Sequence, residues 1–139
     1  MVKKILSSRR GEMYIEAVVT VIILIAFLSF MLSVFRVATI NNTAMSITDA
    51  LLETATYYGG FGPEFDAKVI ELQEKYSGLP FTVSYTGDWY NAEYERVQLG
   101  DSLSVTVHYE VSITGFGSLL NVPLSCTRTG SSENFWKTA

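Results

Sequence analysis

The stretch AVVTVIILIAFLSFMLSVF, Ala17 to Phe35, decides how this chain is read. It holds 19 residues without a charged side chain, is bounded by Glu16 and Arg36, and carries only Thr20, Ser29 and Ser33 as hydroxyl groups. A helix of that length spans roughly 28 Å, close to the ~30 Å hydrocarbon thickness of a bilayer. A helix buried in a soluble protein keeps a polar stripe on its outer side, and this run has none. It therefore reads as a membrane-spanning segment, with lipid as its first partner.

The flanking charges orient the segment. Lys3, Lys4, Arg9 and Arg10 precede it, and Glu12 and Glu16 stand at its mouth. Basic residues stay on the cytoplasmic side, so the expected arrangement is single-pass in the cytoplasmic membrane, N-terminus inside and the remainder outside. Arg36 on the far side is the single opposing charge near the span. The whole chain of 139 residues carries a formal charge of -4, with 10 basic and 14 acidic residues. Residues 1–11 hold four of the basic residues and none of the acidic ones, so the rest carries 6 against 14, a net -8. Such an exterior argues against a nucleic-acid surface, which needs clustered Lys and Arg. Cys126 is the one cysteine. It cannot form a disulfide within the chain and reads as a small apolar strand residue, with a bridge to another chain as the alternative.

A secretory signal places its small-residue cleavage site after the apolar stretch, but Arg36-Val37-Ala38-Thr39 offers none. The notable junction lies before the stretch, at Arg9-Arg10-Gly11-Glu12-Met13-Tyr14-Ile15-Glu16. Here the sequence resembles the type IV prepilin family, whose members have a short basic leader ending in glycine, a glutamate fifth in the mature chain, and an apolar helix. The resemblance implies removal of the leader 1–11 by a prepilin peptidase between Gly11 and Glu12. It makes Glu16 the fifth mature residue, an assembly residue that meets the freed amino group of a neighbouring pilin-like subunit. Major pilins often begin with Phe or Met. Glu12 and the polar Tyr14 point instead toward a TadE-like minor pilin or pseudopilin, including the small TadE-related proteins of Gram-positive bacteria. The residues give an independent reason to single out Glu16: a carboxylate at the edge of an apolar segment is costly and usually has a partner. Resting in the headgroup layer is the other reading of the same residue.

Beyond Arg36 the apolar residues become periodic. Val37, Ile40, Ala44, Ile47, Leu51, Thr54 and Tyr58 recur with spacings of three and four, one face of a helix. The spacing predicts one helix from about Glu12 to Tyr58, ended by Gly59, Gly60, Gly62 and Pro63. Residues 12–36 form its membrane and assembly half, and residues 37–58 the spine of an extracytoplasmic head spanning 37–139. About three heptads of stripe are marginal for a coiled coil.

Pro63 opens a short amphipathic helix carrying Phe65, Val69, Leu72 and Tyr76, closed by Gly78 and Pro80. Phe81, Val83 and Tyr85 alternate with Thr82, Ser84 and Thr86, a strand. Residues 89–99 are less regular, with Tyr90, Tyr94 and Val97 as expected inward residues. From Leu103 to Ile113, apolar and polar residues alternate without a break, which predicts a strand packed on one face and solvated on the other. Gly115-Phe116-Gly117 reads as a loop, and Val122, Leu124 and Cys126 as a last strand. The expected fold class is α+β, pilin-like: a long N-terminal transmembrane helix continuing as the spine of a head, a short helix, and an antiparallel sheet of about four strands in two layers. Residues 102–137, a long Val-x-Val-x-Tyr strand, a short Gly-containing loop, a Pro-Leu-Ser strand and a polar segment with Glu133, also resemble TadE-like proteins, so the resemblance touches about residues 9–36 and 102–137.

Chemistry finds little support in the sequence. One His and one Cys make no metal cluster, so His108 reads as a solvated strand residue. No Gly-x-Ser-x-Gly elbow or phosphate loop is present. Glu64, Asp66, Glu71 and Glu74 read as a solvated helix face, not a calcium site. Trp89, Tyr90 and Tyr94 read as core and edge aromatics ahead of a carbohydrate platform. The expectation is a structural subunit of a type IV or Tad-like filament or secretion apparatus, with no enzymatic activity, no cofactor, no metal and no direct nucleic-acid partner. The alternative is a single-pass membrane protein with an uncleaved N-terminus and an extracellular binding head.

Overall fold

α1 is one unbroken helix, Val2–Tyr58, 57 residues long, or roughly 85 Å. The computed structural model describes residues 2–115 and 118–137, with side chains for 11–113 and 120–137. The helix starts ten residues before the expected Glu12. Gly11 costs a helix interior only about 1 kcal/mol relative to Ala, and Lys, Leu, Arg, Glu and Met around it are strong helix formers, so the backbone passes through the junction without a break.

α1 ends on glycines for a stereochemical reason. Gly59 takes φ +69, a left-handed conformation that side-chain-bearing residues rarely adopt. The Gly60 N–H then reaches back to the Ala55 carbonyl at 3.0 Å, the six-to-one bond of a Schellman cap. Gly60 sits against the Glu95 carbonyl, where a Cβ would collide with backbone. α2, Pro63–Lys75, follows at once, with Pro at its start, Glu64 and Asp66 in its first turn and Lys75 in its last. These charges match the polarity of the helix dipole. Phe65 and Leu72 are its buried residues.

The sheet has three antiparallel strands in the order β1-β4-β5, with β1 at Phe81–Gly87, β4 at Ser102–Gly115 and β5 at Ser118–Ser131. β2, Trp89–Asn91, and β3, Arg96–Val97, form a separate two-stranded ribbon. The expected sheet of about four strands is thus three plus two. The 89–97 segment is too short, and too irregular between Trp89 and Asn91, to join the main ladder. An Asn91 side chain that accepts from the Glu93 and Tyr94 N–H groups makes the turn, and Glu95 sits at φ 51. Tyr90 and Tyr94, expected inward, are 41% and 57% exposed, whereas Val97 is fully buried.

The core lies where the α1 stripe meets one face of the sheet. Ala44, Ile47, Leu51 and Ala55 pack with Leu103, Val105, Val107 and Val111, all essentially inaccessible, and Phe61, Phe65 and Phe81 close the ends. Ala55 takes the place expected for Thr54 and Tyr58: Thr54 is half-buried and Tyr58 is 42% exposed. Thr48, also fully buried, bonds the Ala44 carbonyl at 2.7 Å, so its hydroxyl carries no unpaired cost. Cys126 is buried opposite Val107, as a small strand residue would be. Phe116 and Gly117, read as loop, lie outside the described residues.

Candidate functional site

The feature of α1 that demands a function is its first half. Between Gly11 and Phe35 every side chain is exposed except Ala26 and Ser33, which are half-buried. Leu32 is 71% exposed and Phe35 73%. Soluble monomers rarely expose a continuous apolar patch above a few hundred Å², and here the circumference is apolar over the 19 residues from Ala17 to Phe35, about five helical turns. Two of the hydroxyl groups inside it bond within the helix: Thr20 donates to the Glu16 carbonyl at 2.8 Å and Ser33 to the Ser29 carbonyl at 3.0 Å. A segment in hydrocarbon must satisfy its polar groups in this way. This helix is long and apolar enough to cross a membrane, and its most apolar window has no part buried in the fold.

The junction residues stand on the same exposed surface. Gly11 has open space around it. Glu12 and Glu16 lie one turn apart, on one side of the helix, and both are exposed. Among the described residues neither forms an ion pair, the two bridges there being Lys68–Glu71 and Arg128–Asp49. Lys3, Lys4, Arg9 and Arg10 lie on the helical backbone of α1, and their side chains are outside the described set.

At the opposite end of α1 the structure brings together residues that sequence reasoning had not connected. The helix leaves carbonyls without intrahelical partners, and the C-terminal tail supplies donors to them. The Glu133 N–H bonds the Thr56 carbonyl at 2.8 Å, Asn134 Nδ2 bonds the Tyr58 carbonyl at 3.0 Å, and Trp136 Nε1 bonds the Gly59 carbonyl at 3.0 Å. Gln98 holds the tail in turn, donating to the Trp136 carbonyl and accepting from its N–H. Ser132, buried, donates to the Val97 carbonyl. Arg96 lies 4.2 Å from the Trp136 ring centroid and 5.1 Å from that of Tyr94. Next to it Phe61 stacks on Tyr85 at 4.1 Å, and the Tyr85 hydroxyl donates to Glu95. Burial first, then the bond to Glu95, raises the Tyr85 phenol above its ordinary pKa. The sequence signals were Trp136 in a short polar tail and three glycines in four positions, too local to show that one caps the other.

On the solvated face of the sheet, His108 is exposed and shares a 2.8 Å hydrogen bond with Ser84 Oγ. The face around it is a run of hydroxyls: Ser104 pairs with Thr129 and Thr106 with Thr127, each at 2.8 Å. A shallow cleft of about 600 Å³ lined by Thr82, His108, Glu110 and Ser125 opens onto solvent. Among the described residues no acid hydrogen-bonds His108, so the Ser84–His108 pair lacks the orienting third group of a triad. Glu64, Asp66, Glu71 and Glu74 are all exposed around α2. Among the described residues no group of three potential metal ligands converges.

These features define a class: a head of α+β fold carried on a helix long and apolar enough to cross a membrane, without a pocket that gathers catalytic groups among the described residues. The chain belongs to the family defined as a domain of unknown function, DUF4320, whose model matches residues 19–137. No curated protein matches it, and no solved structure does.

Proposed function

We propose that this protein is a minor pilin or pseudopilin, a structural subunit of a type IV or Tad-like filament or secretion apparatus. Prepilin peptidase cuts after Gly11, and the subunit is held in the cytoplasmic membrane with its head outside until it assembles. The observation that carries the reading is the exposed apolar surface of the first half of α1, next to an exposed Gly11-Glu12 junction and an exposed Glu16. A helix half that buries almost none of its apolar surface in its own fold buries it in lipid or against other helices. The subunit does both in turn. Cleavage frees an amino group at Glu12, and Glu16 of one subunit pairs with that group on its neighbour. In a low-dielectric bundle this attraction is several-fold stronger than in water, so it fixes axial register. The tail that caps α1 makes spine and head one unit, so the head follows the helix into the assembly. Its role is structural rather than catalytic, and it needs neither metal nor cofactor.

The mature N-terminal residue tests the reading. Mass spectrometry of the protein purified from cells with an active prepilin peptidase should give a chain beginning at Glu12. Retention of Met1 there overturns it. Glu16→Ala should insert in the membrane normally yet lose incorporation into any assembly, read by cross-linking to neighbouring subunits. Undiminished cross-linking removes Glu16 from the mechanism.

One observation favours the alternative, a single-pass protein with an uncleaved N-terminus and a binding head. α1 is helical without a break from Val2 through Gly11, whereas a peptidase needs an accessible, locally opened backbone. Gly11 lowers the cost of that opening, which keeps the cleaved form the favoured one.

A further inference from the structure

We propose that the membrane-distal tip of the head carries a sugar-binding cleft, which takes an N-acetylhexosamine unit of a surface glycan among Tyr58, Tyr94 and Trp136. The inference goes beyond the structural role and does not depend on cleavage after Gly11. Only the position of the cleft outside the cell rests on the reading of α1 as a membrane span.

The cleft lies where the C-terminal tail meets the end of α1 and holds about 290 Å³. Tyr58 stands 23 residues beyond Phe35, or roughly 34 Å along the helix, well clear of lipid headgroups. Three aromatic rings line the cleft, those of exposed Tyr58 and Tyr94 and of half-buried Trp136. Small-molecule sites are built in this way, from ring and apolar surface with a few placed polar groups. The walls are held before any ligand arrives. Trp136 is tied through Nε1 to the Gly59 carbonyl, the Tyr94 N–H donates to the Asn91 side chain, and the Arg96 backbone bridges to Gly60. A preformed cleft spares its ligand the entropy of ordering it.

The polar groups in the cleft decide the chemistry. The Arg96 guanidinium lies over the Trp136 and Tyr94 rings. Contact with ring faces leaves its five N–H donors for hydrogen bonds, and among the described residues no acceptor takes one, although Arg96 is half-buried. Glu64 lines the same cleft, is exposed, and has no bonded partner among the described residues. Asn134 gives its Nδ2 to the Tyr58 carbonyl, which leaves its side-chain oxygen as a second acceptor. Charges of both signs in one small cleft disfavour a ligand of either sign and suit a neutral one with donors and acceptors. An acetamido sugar matches group by group. Its carbonyl accepts from Arg96, its N–H donates to Glu64 or Asn134, and the C–H face of its ring lies on the open rings of Tyr58 and Tyr94, which are apolar in the body and polar at the tip.

The test uses the full chain with Trp89→Phe, which leaves Trp136 as the only tryptophan, in a polyoxyethylene detergent without sugar headgroups. Trp136 emission is titrated with triacetylchitotriose and with cellotriose, which has the same rings and linkage but hydroxyls in place of the acetamido groups. The expected result is a saturable shift with triacetylchitotriose and binding of cellotriose about tenfold weaker, the loss of a hydrogen bond to a charged group. Tyr94→Ala and Glu64→Ala should each weaken triacetylchitotriose about tenfold. Tyr90→Ala, on the same ribbon but outside the cleft, should bind as before. All three residues are exposed, so none of these changes opens the core, and proteolysis in urea checks that each variant is folded. No saturable shift up to about 10 mM sugar overturns the site. Cellotriose bound as well as triacetylchitotriose overturns the match to an acetamido group, and with it the proposal. Tyr90→Ala losing as much as Tyr94→Ala puts the contact outside the cleft and also overturns it. Each of these failures leaves the mature N-terminal residue, and so the pilin reading, untouched.

Discussion

Replacing Trp136 with Ala tests whether the C-terminal tail is a structural part of the head. Three losses combine. The hydrogen bond from Nε1 to the Gly59 carbonyl contributes about 1 kcal/mol net. The guanidinium of Arg96, 4.2 Å from the ring centroid, contributes about 0.5–1 kcal/mol at a partly exposed site. The indole is half-buried against Gly59, where a Cβ would approach Nε1 to 2.9 Å. Burying half of a ring of about 200 Å² at roughly 25 cal/mol per Å² gives about 2.5 kcal/mol. Area-based figures are upper bounds, so the expected loss is about 3 kcal/mol, a large share of a small domain's stability. Trp136→Phe keeps most of the packing and loses the hydrogen bond. The Gly59 carbonyl still accepts from the Val97 N–H at 2.8 Å, so that variant should lose about 1 kcal/mol or less. Pulse proteolysis across a urea series, on full-length protein in mild detergent, reads the opening of the head without interference from the detergent-stabilised span. A loss below about 1 kcal/mol for Trp136→Ala would refute the reasoning, because it would mean that the glycine cap alone ends α1 and the tail adds nothing.

Two further outcomes follow from the core and its tyrosines. Ile47 is fully buried where α1 meets the sheet, so Ile47→Ala should cost about 2–5 kcal/mol by proteolysis in urea, while Ile25→Ala in the span should leave the head unchanged. Tyr85 and Tyr109 both have raised phenol pKa values, each first through burial, with Glu95 adding to Tyr85 and Cys126 to Tyr109. The unfolded chain therefore ionises first. Stability of the head should hold below the ordinary value of 10.0 and fall as the pH rises through the folded values, and Tyr85→Phe should flatten that alkaline decline in a pH series of unfolding curves.

Much of the architecture was legible because it is written in short-range pattern. A charge-free run of bilayer length needs no partner to be recognised, and neither does the alternation from Leu103 to Ile113, whose apolar members down to Val111 became the inner face of β4. Gly59 and Gly60 announced the end of α1, and Pro63 the start of α2. The misreadings arose where burial depends on a distant neighbour. Tyr90 and Tyr94 look like core residues by type, yet the two-stranded ribbon turns them outward. Ala55 is in the core and Tyr58 is not, because Tyr58 is the last residue of the helix, beside the C-terminal tail that bonds its carbonyl. The 14-residue length of β5 was also hidden, since Ser125, Thr127 and Arg128 give no alternating signal. An edge strand is defined by the partner it pairs with.

The sequence by itself determined the membrane-length helix, the basic side of it and the existence of a two-faced sheet. Each of these depends on residues within a few positions of one another. Only the tertiary structure decided that the tail caps the spine, that Arg96 lies between Tyr94 and Trp136, and that β4 and β5 run back along α1. Those contacts join residues 38 to 77 positions apart in the chain for the hydrogen bonds of Trp136 alone. They are selected by which surfaces meet when the sheet closes on the helix, and no local periodicity records that choice.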